Sequence, residues 1–134
     1  MECVFCQIAR KEVPAYFLFE DPICIAFLDK YPQTRGHLQL IPKKHYRWVY
    51  EMPDMGKLFT TAGNIIRAII PVLGASHVTL ATFGHEVKHA HVWIVPQYSR
   101  EVHVEERQKS RLHTQTQAEL ARILSQAIQK EVSS

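Results

Sequence analysis

The stretch GHEVKHAHVWIVP, residues 84–96, places closely spaced histidines at the start of an apolar run. The alternation over residues 89–94 predicts a β-strand, in which side chains two positions apart point to the same face. His89, His91 and Trp93 would then share one face, and the apolar residues between them would pack on the other. A single histidine is most often a partly buried polar residue. In an alternating pair, one imidazole can be a neutral metal ligand or hydrogen-bond partner and the other a nucleophile or acid/base.

The segments that precede this stretch predict four further strands. Apolar runs or alternating patterns, bounded by turn residues, extend over residues 16–21, 23–29, 37–42 and 77–83. The first two are separated by a tight turn at Asp21-Pro22, where proline cannot donate to the ladder. In the strand over 37–42, the alternation puts Gln39 on one face and both Leu38 and Leu40 on the other.

Two longer helices are predicted, one between the strands and one near the C-terminus. From Met55 to Leu73, apolar residues recur at steps of three and four, which indicates an amphipathic helix. Asp54 is placed to cap its start, and Pro71 and Gly74 are expected to mark its end. A second amphipathic helix is predicted over residues 116–132 and a short helix or turn over residues 3–10. These elements predict an α+β domain over residues 1–134, an antiparallel β-sheet with its helices on one face.

Composition limits the class of protein. With 134 residues, 46% hydrophobic and 22% charged, the chain is typical of a soluble globular domain. Its net charge of +3 is too small to indicate a specific nucleic acid partner. We expect a cytoplasmic protein without membrane association, because the sequence contains neither a membrane-spanning apolar run nor a signal-peptide pattern.

The cysteine pattern indicates metal binding or redox chemistry and does not indicate a disulfide framework. Three cysteines in such a chain do not make a disulfide framework. Cys3 and Cys6 form a C-x-x-C pair, which is compatible with either metal binding or a redox pair. Cys24 lies in an apolar run and is expected to be a small core residue.

Taken together, these motifs resemble the histidine triad (HIT) superfamily. Residues 84–96 resemble its signature strand, which has glycine, usually glutamine, and then His-x-His-x-His followed by apolar residues. CVFC at 3–6, AFLD at 26–29 and GHLQLIPKKH at 36–45 resemble the N-terminal half of bacterial members. The resemblance implies a HIT-like fold, a homodimer, and a protein that binds nucleotides and hydrolyses or transfers nucleotidyl groups.

The resemblance also implies roles for individual residues. His91 matches the central histidine, which attacks the α-phosphorus and forms a nucleotidyl-histidine intermediate, a step that divides one difficult displacement into two. His85 stands at the usual glutamine and is a second catalytic candidate, as a proton donor. Asp29 resembles the ribose-binding acid, and Phe27 is expected to be core. The other candidate nucleotide-binding residues are Phe5, Ile8, Leu28, Gly84, Glu86, Val87 and Trp93; Gly84 would allow phosphate to approach the backbone closely.

A structural Zn²⁺ is implied by the same comparison. In zinc-containing members, the C-x-x-C pair is completed by a histidine after the mid-chain strand and by the first histidine of the triad. The matching ligands are Cys3, Cys6, His45 and His89. Four protein ligands close a tetrahedral site, so the ion would be structural.

Three departures keep two functions open. Trp93 stands where the third histidine is expected and has only an indole donor. Glu86 would repel a phosphate unless it points away or the substrate differs, and residues 77–86 lack the Asn- and Gly-rich loop of many members. One function is a nucleotidyl hydrolase or transferase of phosphoramidate or dinucleotide type. The alternative is a weak or inactive nucleotide-binding or zinc-stabilised interaction module. Residues 98–113 predict either a specificity element or a surface loop.

Overall fold

A five-stranded sheet forms the centre of the computed structural model, which describes residues 3–99 and 116–133. The strands are β1 (Phe17–Glu20), β2 (Cys24–Leu28), β3 (Leu38–Pro42), β4 (His77–Ala81) and β5 (Val92–Gln97). Their order is β1-β2-β3-β5-β4, and every neighbouring pair is antiparallel. The predicted α+β class with an antiparallel sheet is therefore confirmed.

Three α-helices cover the described sheet from both faces. They are α1 (Val4–Ala9), α2 (Met55–Leu73) and α3 (Gln117–Ser133), and one 3₁₀ turn spans Val49–Glu51. Helices α2 and α3 contact each other and pack on one face, whereas α1 lies on the other face with the side chains of Ile25, Phe27 and Ile41. The expectation that the helices share one face holds for the two longer ones. It fails for α1.

The two-sided cover explains the burial of the central strands. Every residue of β2, β3 and β5 is buried, while the edge strand β4 has none that is. In β3, Leu38 and Leu40 join the cluster under α2 and α3, and Ile41 joins the cluster under α1. The alternation predicted for residues 37–42 is confirmed, because each face has its own helical cover.

The long helix agrees with its predicted extent, and of its two predicted end signals Gly74 is confirmed whereas Pro71 is not. Pro71 lies inside α2, which continues to Leu73. An exposed proline near a helix end removes only one hydrogen bond, and the helix ends instead at Gly74, which is left-handed with φ 71°. Asp54 occupies the N-cap position, but its side chain makes no capping hydrogen bond.

The histidine-rich stretch enters the sheet later than predicted. β5 begins at Val92, so His89 and His91 lie just before the strand. The side-chain faces nevertheless separate as expected, because Ala90, Val92 and Ile94 belong to the core under α2, whereas the residues between them face away from it.

The C-terminal helix buries the predicted stripe. Leu120, Leu124 and Ile128 are buried, and Ile123 is half-buried. Within the described residues, no helix has both the length and the apolar character needed to cross a bilayer. The segment over 98–113 lies outside the described residues from position 100 onward.

A glycine before β3 provides a test of this packing. Gly36 has φ 87°, and a Cβ there would lie 2.8 Å from Cδ1 of Leu73. We expect Gly36→Ala to lower the free energy of unfolding by about 1 to 3 kcal/mol through backbone strain. Gly56→Ala is the matched control, because nothing lies within 4 Å of a Cβ at that helical position. Chemical denaturation measures both, and equal stabilities would contradict the expected strain at residue 36.

Candidate active site and metal site

A cavity of about 960 Å³ lies on the sheet face that carries α1. Its walls come from α1, residues 13–16, the end of β2 and the stretch that leads into β5. Most of the residues proposed from the sequence line it: Phe5, Ile8, Leu28, Asp29, Glu86, Val87, His91 and Trp93. Phe27, expected to be core, is buried and also lines the cavity. Gly84 and His85 are not among the described lining residues.

The imidazole of His91 is fixed by two backbone groups. Its Nδ1 lies 2.8 Å from the carbonyl oxygen of His89, and the backbone N–H of Phe83 donates to its Nε2 at 3.1 Å. A carbonyl only accepts and an amide N–H only donates, so the neutral ring carries its proton on Nδ1. The lone pair of His91 is therefore on Nε2, the nitrogen that would act as nucleophile.

Asp29 is held at the cavity wall with capacity to accept more hydrogen bonds. The backbone N–H of Tyr31 donates to Oδ1 at 2.8 Å, and the amide of Gln39 donates to Oδ2 at 2.7 Å. An ionised carboxylate oxygen accepts about two hydrogen bonds. Each oxygen of Asp29 can therefore receive one more donor, which suits a pair of vicinal hydroxyls.

His37 stands behind this carboxylate as a neutral group. Its Nδ1 accepts the backbone N–H of Gln33 at 3.0 Å, and its Nε2 lies 3.5 Å from Oδ2 of Asp29. Burial lowers the pKa of His37 to about 4, although the nearby Asp29 carboxylate acts in the opposite direction. At neutral pH the ring is uncharged, so His37 does not neutralise the carboxylate of Asp29.

Trp93 occupies the position of the expected third histidine as a packed aromatic. Only 8% exposed, it is tilted against the ring of His37 at 4.6 Å between centroids and meets Phe83 edge-on at 4.7 Å. It also pairs with Gln39 across the β3–β5 ladder. The indole thus forms a rigid wall of the cavity, where it cannot accept a proton.

At Gly84 the close approach is made by an aromatic ring of the protein itself. A Cβ at this position would lie within 2.7 Å of three ring carbons of Trp48. The guanidinium of Arg47 lies over the same ring, 4.8 Å from its centroid, and donates to the carbonyl of Gly84 at 3.5 Å. The glycine is therefore required by Trp48.

Gln39, Phe83 and Trp48 take part in the site without having been singled out by sequence. For Gln39 a signal existed, since a polar residue on a buried strand shares its face with the functional histidines. Phe83 and Trp48 carry no such signal. The role of Trp48 depends on a contact with the distant Gly84, and that of Phe83 on the path of the irregular segment before His91.

Four ligand atoms converge beside the N-terminus of α1. The Nδ1 of His89 lies 3.4 Å from both thiol sulfurs of Cys3 and Cys6, and 3.1 Å from Nδ1 of His45. Cys6 Sγ is 3.2 Å from Nδ1 of His45, and all four atoms lie within 4.8 Å of one another. A tetrahedral site with Zn–S and Zn–N bonds of ordinary length has ligand–ligand edges of about 3.3 to 3.8 Å. The donor set therefore fits a tetrahedral metal ion with little adjustment.

His89 is prepared for metal binding by its surroundings. Its Nε2 lies 2.9 Å from the carbonyl of Pro42, an acceptor, so the proton is on Nε2 and the Nδ1 lone pair faces the cluster. The ring is fully buried, and burial lowers its pKa to about 4. It is therefore neutral at pH 7, the form that binds metals.

Comparison with known proteins agrees with this architecture. The family model of the HIT domain matches residues 10–100. An adenylylsulfatase of Arabidopsis thaliana is 34% identical over 107 residues, which are 75% of this chain and 54% of that protein. An adenosine 5'-monophosphoramidase of Schizosaccharomyces pombe is 30% identical over 104 residues, 75% of this chain and 78% of that protein.

Solved structures of similar fold include one with a bound metal. A zinc-bound histidine triad family protein from Mycobacterium smegmatis superposes with a TM-score of 0.79 at 28% identity. The alignment covers 99% of this chain and 97% of that one. The two chains thus share one fold over nearly their whole lengths.

The cluster predicts a specific metal-binding phenotype. Co²⁺ added to metal-free protein should give the thiolate charge-transfer absorption of a tetrahedral site. The double variant Cys3→Ser/Cys6→Ser should lose this band and its metal content, measured by mass spectrometry of the metal. Cys24→Ala is the matched control, because Cys24 is buried in the opposite core. Full metal retention in the double variant would disprove these ligands.

Proposed function

Because the chain belongs to the HIT domain family, we propose that it is a nucleotidyl hydrolase or transferase that acts through His91. One observation carries this proposal. A buried imidazole is locked in the tautomer whose lone pair is on Nε2, and it lies in the wall of a cavity large enough for a nucleotide conjugate. Neutral imidazole at a fixed position is an effective nucleophile near pH 7.

The reaction would proceed in two displacements. Nε2 of His91 forms a bond to the α-phosphorus while the bond from phosphorus to the leaving group breaks, and the leaving group departs with a proton. The ring then carries a positive charge, which the carbonyl of His89 stabilises through Nδ1–H. Water or another acceptor then attacks the same phosphorus while the bond from phosphorus to Nε2 breaks, which restores the neutral histidine. The acceptor releases one proton to solvent, and this balances the proton that the leaving group took up from solvent in the first step.

The remaining cavity residues suit a nucleoside. Asp29 can accept the two ribose hydroxyls with the capacity left on its oxygens. The apolar side chains of Phe5, Ile8 and Leu28 offer a surface for a base. This division places the base beside α1 and leaves the phosphate beside His91.

Zinc is the metal that we propose for the cluster of Cys3, Cys6, His45 and His89. Its support is the thiolate and imidazole donor set and its near-tetrahedral spacing. With four protein ligands the ion would be structural, holding α1 against residue 89, whose carbonyl orients His91.

The charges of the cavity favour an amine as the leaving group. Glu86 and Asp29 both line the cavity, and Lys30 is the one lysine or arginine among the described lining residues. A sulfate or second phosphate leaving beside Glu86 would meet a like charge, whereas an amine would not. We therefore favour nucleoside phosphoramidates over adenylyl sulfate and dinucleotides as substrates.

A second candidate function is a nucleotide-binding module with weak or no turnover. The observation that favours it is the replacement of a proton-transferring group by Trp93, with His85 exposed outside the described cavity lining. Binding without a covalent adduct would distinguish this function from the first.

Trapping of the intermediate tests the enzyme proposal. Wild-type protein mixed with an adenosine or guanosine phosphoramidate and quenched in base should gain the mass of one nucleotidyl group on His91, since phosphohistidine bonds are acid-labile. His91→Ala should show neither the adduct nor turnover. His77→Ala, which removes an exposed histidine of β4, is the matched control and should retain both. No adduct and no turnover in the wild type would refute the proposal in favour of the binding module.

Leaving-group preference tests the role of Glu86. For Glu86→Gln, the ratio of kcat/KM for adenylyl sulfate to that for adenosine phosphoramidate should rise about tenfold, because one repulsive charge is removed. Glu119→Gln, on the exposed first turn of α3, should leave the ratio at the wild-type value. An unchanged ratio in Glu86→Gln would show that this carboxylate does not face the leaving group.

A further inference from the structure

The nucleophilic lone pair of His91 is already engaged in the ligand-free protein. The backbone N–H of Phe83 donates to Nε2 at 3.1 Å. A lone pair that accepts this hydrogen bond is directed at the amide nitrogen, and phosphorus needs the same position for an in-line attack. The N–H of Phe83 must move before Nε2 can react.

On one side, residues 82–84 contact the segment that contains His91 and Trp93. The hydroxyl of Thr82 donates to the carbonyl of His91 at 2.6 Å. The ring of Phe83 lies nearly parallel to the imidazole of His91, with centroids 6.4 Å apart, and meets Trp93 edge-on. Trp93, which stands in place of the third histidine, thus supports Phe83, which covers His91.

On their other side, residues 82–84 contact the segment that follows β3. The indole of Trp48 packs so tightly on Gly84 that a Cβ there could not be accommodated. Arg47 lies over that indole and donates to the carbonyl of Gly84. Residues 82–84 are therefore clamped between Trp48 on one side and His91 on the other.

We infer that residues 82–84 form a latch on the nucleophile and that Trp48 is a positioning residue that keeps the latch closed. When the latch shifts, Nε2 is released for attack on phosphorus. The freed N–H of Phe83 then stands beside the α-phosphoryl group, where it can donate to a non-bridging oxygen. One amide thus protects the nucleophile in the free protein and stabilises negative charge during the reaction. This role rests on the proposed function of His91.

Acylation of the histidines by diethyl pyrocarbonate measures the latch without any nucleotide. Peptide mapping at a single neutral pH gives the rate at His91 relative to exposed His77, which serves as an internal reference. Trp48→Ala should raise this relative rate about tenfold, the factor expected for the loss of one hydrogen bond. Trp48→Phe, which keeps an aromatic ring at the position, should stay closer to wild type.

Two further variants separate the latch from general loosening. Met52→Ala creates a cavity in the core near the same segment, but it leaves the Trp48–Gly84 contact in place and should not change the relative rate. Gly84→Ala forces Trp48 and residue 84 apart and should raise it. In Trp48→Ala/Gly84→Ala the two effects should not add, because both break one contact.

Unchanged acylation of His91 in both Trp48→Ala and Gly84→Ala would overturn the latch. An increase of the same size in Met52→Ala would also overturn it, because loosening of the fold would then explain the effect. Failure of the proposed function gives a different result. In that case the nucleotidyl adduct is absent from the wild type while the differences in acylation persist.

Discussion

The buried imidazole of His89 connects the parts of this molecule that would otherwise have no common reference. Its Nδ1 faces the thiols of Cys3 and Cys6, and its Nε2 donates to the carbonyl of Pro42 at the end of β3. Its own backbone carbonyl accepts the hydrogen bond from Nδ1–H of His91. The side chain and backbone of His89 thus connect the metal-ligand cluster, the sheet and His91. Burial keeps the ring neutral, and a neutral ring has an Nδ1 lone pair that can bind a metal ion.

Sequence periodicity predicts the sheet well because β3 at its centre packs against different helices on its two faces. The alternation around Gln39 separates the faces correctly, and the apolar stripe of α2 finds its place under the sheet. It does not place α1, since six residues next to two cysteines do not define a face. It also misjudges Pro71, because a proline near a helix end costs little when its position is exposed.

Only part of the candidate site can be predicted from the sequence. The family resemblance points to His91, Asp29 and the four metal ligands, and the fold explains why the ligands meet: β3 and β5 are neighbours, so the segments beyond their ends converge. Trp48 contacts Gly84 across 36 positions of sequence, and Phe83 reaches His91 from an irregular segment eight positions earlier. No local pattern encodes such a contact, and a resemblance built on motifs passes over it.

Helix α1 contributes to both the metal-ligand cluster and the cavity wall, and these two roles are coupled. Its cysteines belong to the metal-ligand cluster, and its Phe5 and Ile8 form a wall of the cavity. A helix of six residues has little stability of its own, so its order depends on what it touches. A metal ion that orders α1 at the cluster would raise the affinity of the cavity for its ligand. By thermodynamic reciprocity, the ligand would raise the affinity of the cluster for the metal by the same factor. A metal ion in the cluster and a ligand in the cavity would therefore bind cooperatively without touching each other.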